Sequence, residues 1–350
     1  MRLWIDELSV LHALCPLVIA GRAVQTVNGV AIHHWNADAD FGNPADIIIE
    51  GFGCGLPEAC CAAMAARSPR SLWITLEYLS AEPWVASHHG LPSPHPLLPL
   101  ERYFFFPGFV PGTGGLLKGR DLDARRLEFQ KSAERQTAFW TEMGFGMPDR
   151  DATVVSLFGY ANPAARELLD TWAAGEQTVV VAVPAGPLQM QVLEYFGASD
   201  PGPGAALRRG ALEARILPFV SQVRYDELLW TSDLNFVRGE DSFVRAQWAE
   251  RPLIWNIYPQ TERAHRLKLD AFLDLYCVRL DRPAGDALRA FWHTWNGIDS
   301  PRHGDLPRAW AGLQHHRVCL ARHAVSWTTQ LVLAGGLAEN LAQFCLKRLK

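Results

Sequence analysis

Between residues 153 and 257, short apolar runs alternate with helix-length segments, and this alternation constrains the fold more than any other feature of the chain. The runs cover residues 153–158, 178–183, 213–217, 234–237 and 252–257. Most are rich in Val, Ile and Leu and show little polar alternation, the pattern of strands covered on both faces, while 213–217 carries Glu213 and Arg215. Residues 163–174, 188–196, 225–231 and 242–249 read as the helices between them. Strand–helix–strand alternation predicts a doubly wound parallel sheet. Such sheets bind ligands at the carboxyl ends of their strands, near the point where the winding reverses.

The first half reads as a second α/β block. Residues 3–5, 31–35, 46–50 and 71–76 are predicted strands, and 9–14 and 58–67 helices, the latter opened by Pro57. Residues 77–119 form a long Pro- and Gly-rich stretch, and long loops in compact domains are usually functional. Residues 125–139 read as one charged helix, and 286–295 and 323–349 as closing helices. The expected organisation is an N-terminal Rossmann-like domain over 1–150, completed by a helix at 323–350, and a second Rossmann-like domain over 151–322. Two such domains facing across a cleft make the α/β architecture of GT-B glycosyltransferases. An α/β-hydrolase and a dinucleotide dehydrogenase share the coarse pattern. The chain has no Gly-x-Ser-x-Gly elbow and no Gly-x-Gly-x-x-Gly opening a helix, which argues against both.

Composition narrows the partners. A hydrophobic share of 49%, a charged share of 20% and a net charge of −4 fit a soluble globular protein with a sizeable core, and nothing in them argues for a nucleic-acid or membrane surface. The seven cysteines (15, 54, 60, 61, 277, 319 and 345) are odd in number and lack metal-finger spacing, so reduced thiols and a cytoplasmic setting are expected. No apolar run reaches the length of a membrane span, and no signal-type segment follows Met1. The thirteen tryptophans are read chiefly as core.

The candidate chemistry sits at four strand ends: Phe158-Gly159-Tyr160, the run from Pro218 through Phe219 to Gln222, Arg238-Gly239-Glu240-Asp241-Ser242, and Ile257-Tyr258-Pro259-Gln260. Each pairs an aromatic ring with polar groups, which suits a nucleotide sugar. The third end is the most specific. A Gly turn feeding a helix exposes unpartnered amides to an anion, and Arg238 adds a planar fork for a diphosphate. Two acids in the same turn need another explanation. Glu240 either complements the helix dipole or acts on a sugar or acceptor. Glu77-Tyr78 and His88-His89 read as surface loop residues rather than metal ligands. Gly112-Thr113-Gly114-Gly115 resembles a phosphate loop but lacks the following Lys-Ser/Thr.

Longer motifs carry a family resemblance. Asn235-Phe-Val-Arg-Gly-Glu-Asp-Ser-Phe-Val-Arg-Ala-Gln-Trp248, with Trp255-Asn-Ile-Tyr-Pro-Gln260, resembles the EarP family, the protein-arginine rhamnosyltransferases of elongation factor P. So do Phe52-Gly-Cys-Gly-Leu-Pro57, Leu76-Glu-Tyr-Leu-Ser-Ala-Glu82, His89-Gly-Leu-Pro-Ser-Pro94, Phe105-Phe-Pro-Gly-Phe109 and Thr113-Gly-Gly-Leu116. The resemblance implies an inverting GT-B enzyme that moves L-rhamnose from dTDP-β-L-rhamnose to an arginine of elongation factor P and so supports translation of polyproline stretches. It implies no metal and no cofactor. The C-terminal domain would hold the donor and the N-terminal domain the protein acceptor.

By the same resemblance Phe219 stacks on thymine and Gln222 reads its edge. Phe158 and Tyr160 line the sugar–diphosphate pocket. Arg238, Gly239, Asp241 and Ser242 hold the diphosphate with Tyr258 assisting, and Glu240 is the catalytic glutamate that orients or polarises the arginine. One departure stands out. The family's first strand, turn and helix, which supply an aspartate taken as the general base, have no counterpart here. Residues 1–8 match the family's second strand, and Asp6 does not replace that aspartate. Weakened donor binding and much lower turnover are the expectation, and an upstream start codon is an alternative. A truncated homologue that only binds dTDP-sugar or elongation factor P is the second reading. A nucleotide-sugar transferase with a small-molecule acceptor is the third.

Overall fold

The computed structural model describes residues 1–36, 39–199, 201–259, 264–298 and 304–349. Contacts divide the chain into two units. One comprises residues 1–77, 91–104 and 347–350, the other 78–90 and 105–346. Both are mixed α/β with parallel strand pairs. Residues 78–90 and 105–150, expected with the first domain, cluster with the second. Of the expected closing helix only 347–350 joins the first.

The first unit holds two sheets. β1 (Arg2–Ile5), β2 (Val24–Val27) and β3 (Val30–His34) are ordered β1-β3-β2, with β1 parallel and β2 antiparallel to β3. β4 (Ile47–Gly51), β5 (Leu72–Leu76), β6 (Pro92–Pro94) and β7 (Glu101–Phe105) are ordered β4-β5-β7-β6, with β4 parallel to β5 and β6 antiparallel to β7. Their cores are small. Leu8, Val18 and Ile32 form one, and Cys60, Cys61, Met64, Trp73 and Leu100 the other.

The second unit is built on six strands: β8 (Thr153–Leu157), β9 (Val179–Val183), β10 (Ala206–Arg209), β11 (Leu212–Ile216), β12 (Leu234–Arg238) and β13 (Leu253–Asn256). Their order is β10-β11-β9-β8-β12-β13, all parallel except β10. Every residue of β8, β9 and β11 is buried, including Ser156 in β8 and the Glu213–Arg215 ion pair in β11. Each fully buried Val or Ile there stabilises the fold by about 1.5–3 kcal/mol. Trp140, Trp172, Trp230, Trp292 and Trp295 are fully buried, in line with a core role. From β8 the chain winds outward through β9 and β11, then returns to β12 and β13 on the other side. The winding therefore reverses between β8 and β12, and the loops after them diverge.

The Gly-rich stretch weighed above as a phosphate loop is a packing seam. Gly114 N–H donates to the Phe106 carbonyl at 2.7 Å, and Leu337 N–H to the Leu116 carbonyl at 2.9 Å. The Asn340 amide donates to the Gly114 and Ala334 carbonyls. Gly115 has φ +75°, and a Cβ there would lie 2.1 Å from the Gly335 carbonyl oxygen. Gly115→Ala is expected to cost about 1–3 kcal/mol through forced backbone movement. Thermal melting checks this, and an unchanged melting temperature would contradict the seam.

Candidate functional site

The turn after β12 is built from within. Gly239 adopts φ +60°, and helix Asp241–Trp248 follows with Glu240 at its cap position. The Arg238 N–H donates to the Ser242 hydroxyl oxygen at 3.0 Å, and that hydroxyl donates back to the Arg238 carbonyl. The Trp255 ring N–H donates to the Gly239 carbonyl at 2.8 Å. Trp255 itself stacks flat on Phe243, with centroids 4.1 Å apart. The Ser242 hydroxyl is thus engaged in closing the turn. What Ser242 offers an anion is its backbone amide, one of the unpaired donors of the first helical turn.

Arg238 lies among aromatic rings. Its guanidinium carbon is 4.5 Å from the Phe158 centroid and 5.0 Å from that of Tyr160. Tyr160 meets Tyr258 edge-on at 5.2 Å, and Phe158 meets buried Tyr225 at 5.6 Å. Burial pushes the Tyr160 phenol up, while the Arg238 charge pulls it back. A planar cation stacked this way keeps its edge donors for a ligand. The loops after β8, β12 and β13 are therefore brought together, as the switch point requires.

Phe219 and Gln222 lie after β11, separated from β8 by β9. Phe219 is 65% exposed and makes no ring contact among the described residues. Gln222 opens helix Gln222–Thr231 and is exposed. Tyr258 is 62% exposed. Gln260, read with these strand ends, lies outside the described residues.

The two acids of the turn differ in surroundings. Asp241 is exposed and accepts from Arg245 Nε at 2.8 Å, and the same guanidinium reaches buried Asp226 at 2.9 Å. This pairing offsets the repulsion Asp241 would exert on a nearby anion. Glu240 is half-buried and accepts the Leu79 N–H at 3.0 Å. Burial pushes the Glu240 acid up, the Leu79 amide and Lys268 lower it, and Asp241 raises it further. Residues 1–346 match the family described as elongation factor P rhamnosyltransferase EarP.

The chain belongs to the EarP family.

Its relatives include the protein-arginine rhamnosyltransferase of Pseudomonas putida, 43% identical over 344 residues, covering 98% of this chain and 89% of that protein. The Pseudomonas aeruginosa protein of the same name is 41% identical and covers 98% and 90%. A solved structure described as the structural basis for EarP-mediated arginine glycosylation of translation elongation factor EF-P is similar, with a TM-score of 0.68 and 31% identity. It covers 98% of this chain and 97% of the other.

Two site residues of this EarP-family chain escaped the sequence reading. Asn256 accepts the Tyr160 N–H at 2.9 Å, and Asn296 accepts the Ile257 N–H at 3.0 Å while its amide donates to the Trp255 and Trp292 carbonyls. Together they hold the loops that carry Tyr160 and Tyr258. A polar residue closing a buried strand was the available signal for Asn256. Asn296, after helix Arg282–Trp295, had none. Gly159 leaves them room, since a Cβ there would lie 2.8 Å from Leu188 Cδ2 and 3.0 Å from the Asn256 oxygen and would make those side chains shift.

Of the paired histidines, His88 ends the short helix Trp84–His88 and His89 follows it, and both contact backbone atoms. His89 Nδ1 accepts the Phe106 N–H at 3.1 Å, and His88 Nδ1 lies 2.9 Å from the Trp84 carbonyl. Asp6, which follows β1, accepts the Glu7 N–H. Among the described residues no group of three His, Cys, Asp or Glu side chains is placed to hold a metal ion. None of the described helices is long and apolar enough to cross a membrane.

Proposed function

We propose that this EarP-family chain transfers L-rhamnose from dTDP-β-L-rhamnose to a guanidinium nitrogen of an arginine on elongation factor P. Transfer is with inversion, on a GT-B scaffold, in the cytoplasm. The second unit holds the donor and the first docks the protein. The observation that carries the reading is Glu240. It is a half-buried carboxylate held by a backbone N–H, one residue past a glycine turn that follows an aromatic-stacked arginine.

In this mechanism the Arg238 fork and the amides opening helix Asp241–Trp248 bind the diphosphate. Phe158, Tyr160 and Tyr258 line the sugar. Phe219 supplies a free ring face for thymine, and Gln222 an amide for its edge. Glu240 pairs with the acceptor guanidinium and aims one nitrogen at the anomeric carbon. The N–C bond forms as the C–O bond to the diphosphate breaks. The electron pair leaves with dTDP, where Arg238 stabilises the growing charge, and the attacking nitrogen releases one proton to solvent water, so the product guanidinium keeps its single positive charge. A guanidinium is a poor nucleophile while fully charged, so a carboxylate that polarises it lowers the barrier. No metal takes part, and transfer is expected to proceed unchanged in EDTA.

Titration calorimetry with sugar nucleotides tests the donor assignment. Binding of dTDP-rhamnose in preference to UDP-glucose and GDP-mannose is expected. A preference for either of the latter would overturn the assignment and favour a transferase of another substrate class.

A further inference from the structure

One face of the β4-β5-β7-β6 sheet carries a polar cavity of about 290 Å³, and the donor site uses none of it. Glu50 on β4 stands opposite Thr75 on β5, and Ser93 on β6 opposite Arg102 on β7. Glu50 is 2% exposed. Its carboxylate accepts the Gly55 N–H at 2.7 Å on one oxygen, and the Trp73 ring N–H at 2.9 Å and the Thr75 hydroxyl at 3.1 Å on the other. All three donors are neutral, and among the described residues no cation pairs with Glu50. Burying a carboxylate without a cation is costly, and a ligand cation seated on it would offset that cost.

The opposite charge is present but held apart. The half-buried Arg102 guanidinium packs over Trp73 at 5.6 Å and Phe104 at 4.8 Å, and it makes no ion pair among the described residues. Its edge donors are unfilled. His95 adds a third group. Its Nδ1 accepts the Leu97 and Leu98 N–H groups at 3.2 and 3.0 Å, which leaves the ring proton on Nε2. Two of the motifs that carried the family resemblance, Phe52 to Pro57 and His89 to Pro94, contribute lining residues, yet neither has a part in the donor chemistry.

Charge balance selects the occupant. A cation seated on Glu50 would face Arg102, and an anion seated on Arg102 would face Glu50, so a ligand of one sign is penalised at the other end. The volume is below that of pockets for drug-sized molecules. We propose that this cavity binds a free α-amino acid or a close zwitterionic analogue, its ammonium on Glu50 and its carboxylate on Arg102. This site is separate from rhamnosyl transfer and stands whether or not the donor assignment does.

The test is titration calorimetry of the full chain with each proteinogenic L-amino acid in turn. Saturable binding of at least one, with one site per chain, is expected. Arg102→Met should weaken it by about 10- to 100-fold, the scale of a lost hydrogen bond to a charged group. The Arg102 side chain makes no hydrogen bond among the described residues, and its backbone pairing with Ser93 does not depend on the side chain, so this variant keeps the fold; Glu50→Gln is the second variant, with an effect of the same order. The N-acetyl and carboxamide derivatives of the ligand, each lacking one charge, should not bind. Absence of binding by every amino acid, binding that survives Arg102→Met, or equal binding of the N-acetyl derivative would each overturn the proposal.

Discussion

Glu240→Gln is expected to lower kcat for rhamnosyl transfer by about 10²–10⁴-fold, the usual range for a positioned catalytic carboxylate, with little change in dTDP-rhamnose affinity. The substitution keeps size and keeps an acceptor for the Leu79 N–H, so the turn should survive. It removes the charge that draws and polarises an arginine. The pH profile gives an independent reading. Burial raises the Glu240 pKa. The ionised form is the active one, so the rate is full above that raised pKa and falls as pH drops through it. The acid limb should therefore lie above the ordinary glutamate value of about 4.3, and Glu240→Gln should abolish it. A variant with parental kcat would remove Glu240 from the mechanism.

Arg238→Met is expected to weaken dTDP-rhamnose binding by about 10- to 100-fold, as one or two charge-assisted hydrogen bonds to the diphosphate are lost. Methionine retains an apolar stem against Phe158 and Tyr160, so melting should change little. The loss should be smaller for free thymidine, which lacks the diphosphate. Calorimetry with both ligands separates the two, and an equal loss for both would place Arg238 outside the diphosphate site.

The second unit was more legible than the first, for a physical reason. β8 and β9 are buried along their whole length, so their sequences are mostly apolar runs, whereas equally buried β11 carries the Glu213–Arg215 pair. β10 is an edge strand with largely exposed residues and left no such trace. β2 contains Gln25, whose side chain bonds the Ile19 and Arg22 backbone, and it reads as loop. β6 is bounded by two prolines, tolerated at a sheet edge but read as irregular chain. The helix expected over 125–139 is two, Leu122–Lys131 and Ala133–Glu142, because the Ser132 hydroxyl accepts the Arg135 N–H and caps a new helix. The expected closing helix is also broken. Helix Arg317–Leu331 ends before Gly335, which has φ +79°, and Leu337–Arg348 follows. Helices Ala264–Tyr276 and Asp305–His315 were not read at all.

At the candidate site the local backbone geometry is legible in the sequence and the long-range pairing is not. Gly239 at positive φ and helix amides behind it follow from the turn motif. The Asp241–Arg245 pair is an i,i+4 contact that helical spacing could have revealed. The Leu79 amide that holds Glu240 lies 161 residues away in sequence, and Asn296 lies 39 from the loop it ties. No periodicity reports such contacts. They are set by the order in which the strands enter the sheet.

The most direct test is intact-mass analysis of purified elongation factor P incubated with this chain and dTDP-rhamnose, followed by fragmentation to locate the change. A mass gain of one deoxyhexose on a single arginine is expected, dependent on the donor and greatly slowed in Glu240→Gln. Elongation factor P that stays unmodified, a sugar on a residue other than arginine, or an undiminished rate in Glu240→Gln would contradict the assignment of an arginine acceptor aligned by Glu240.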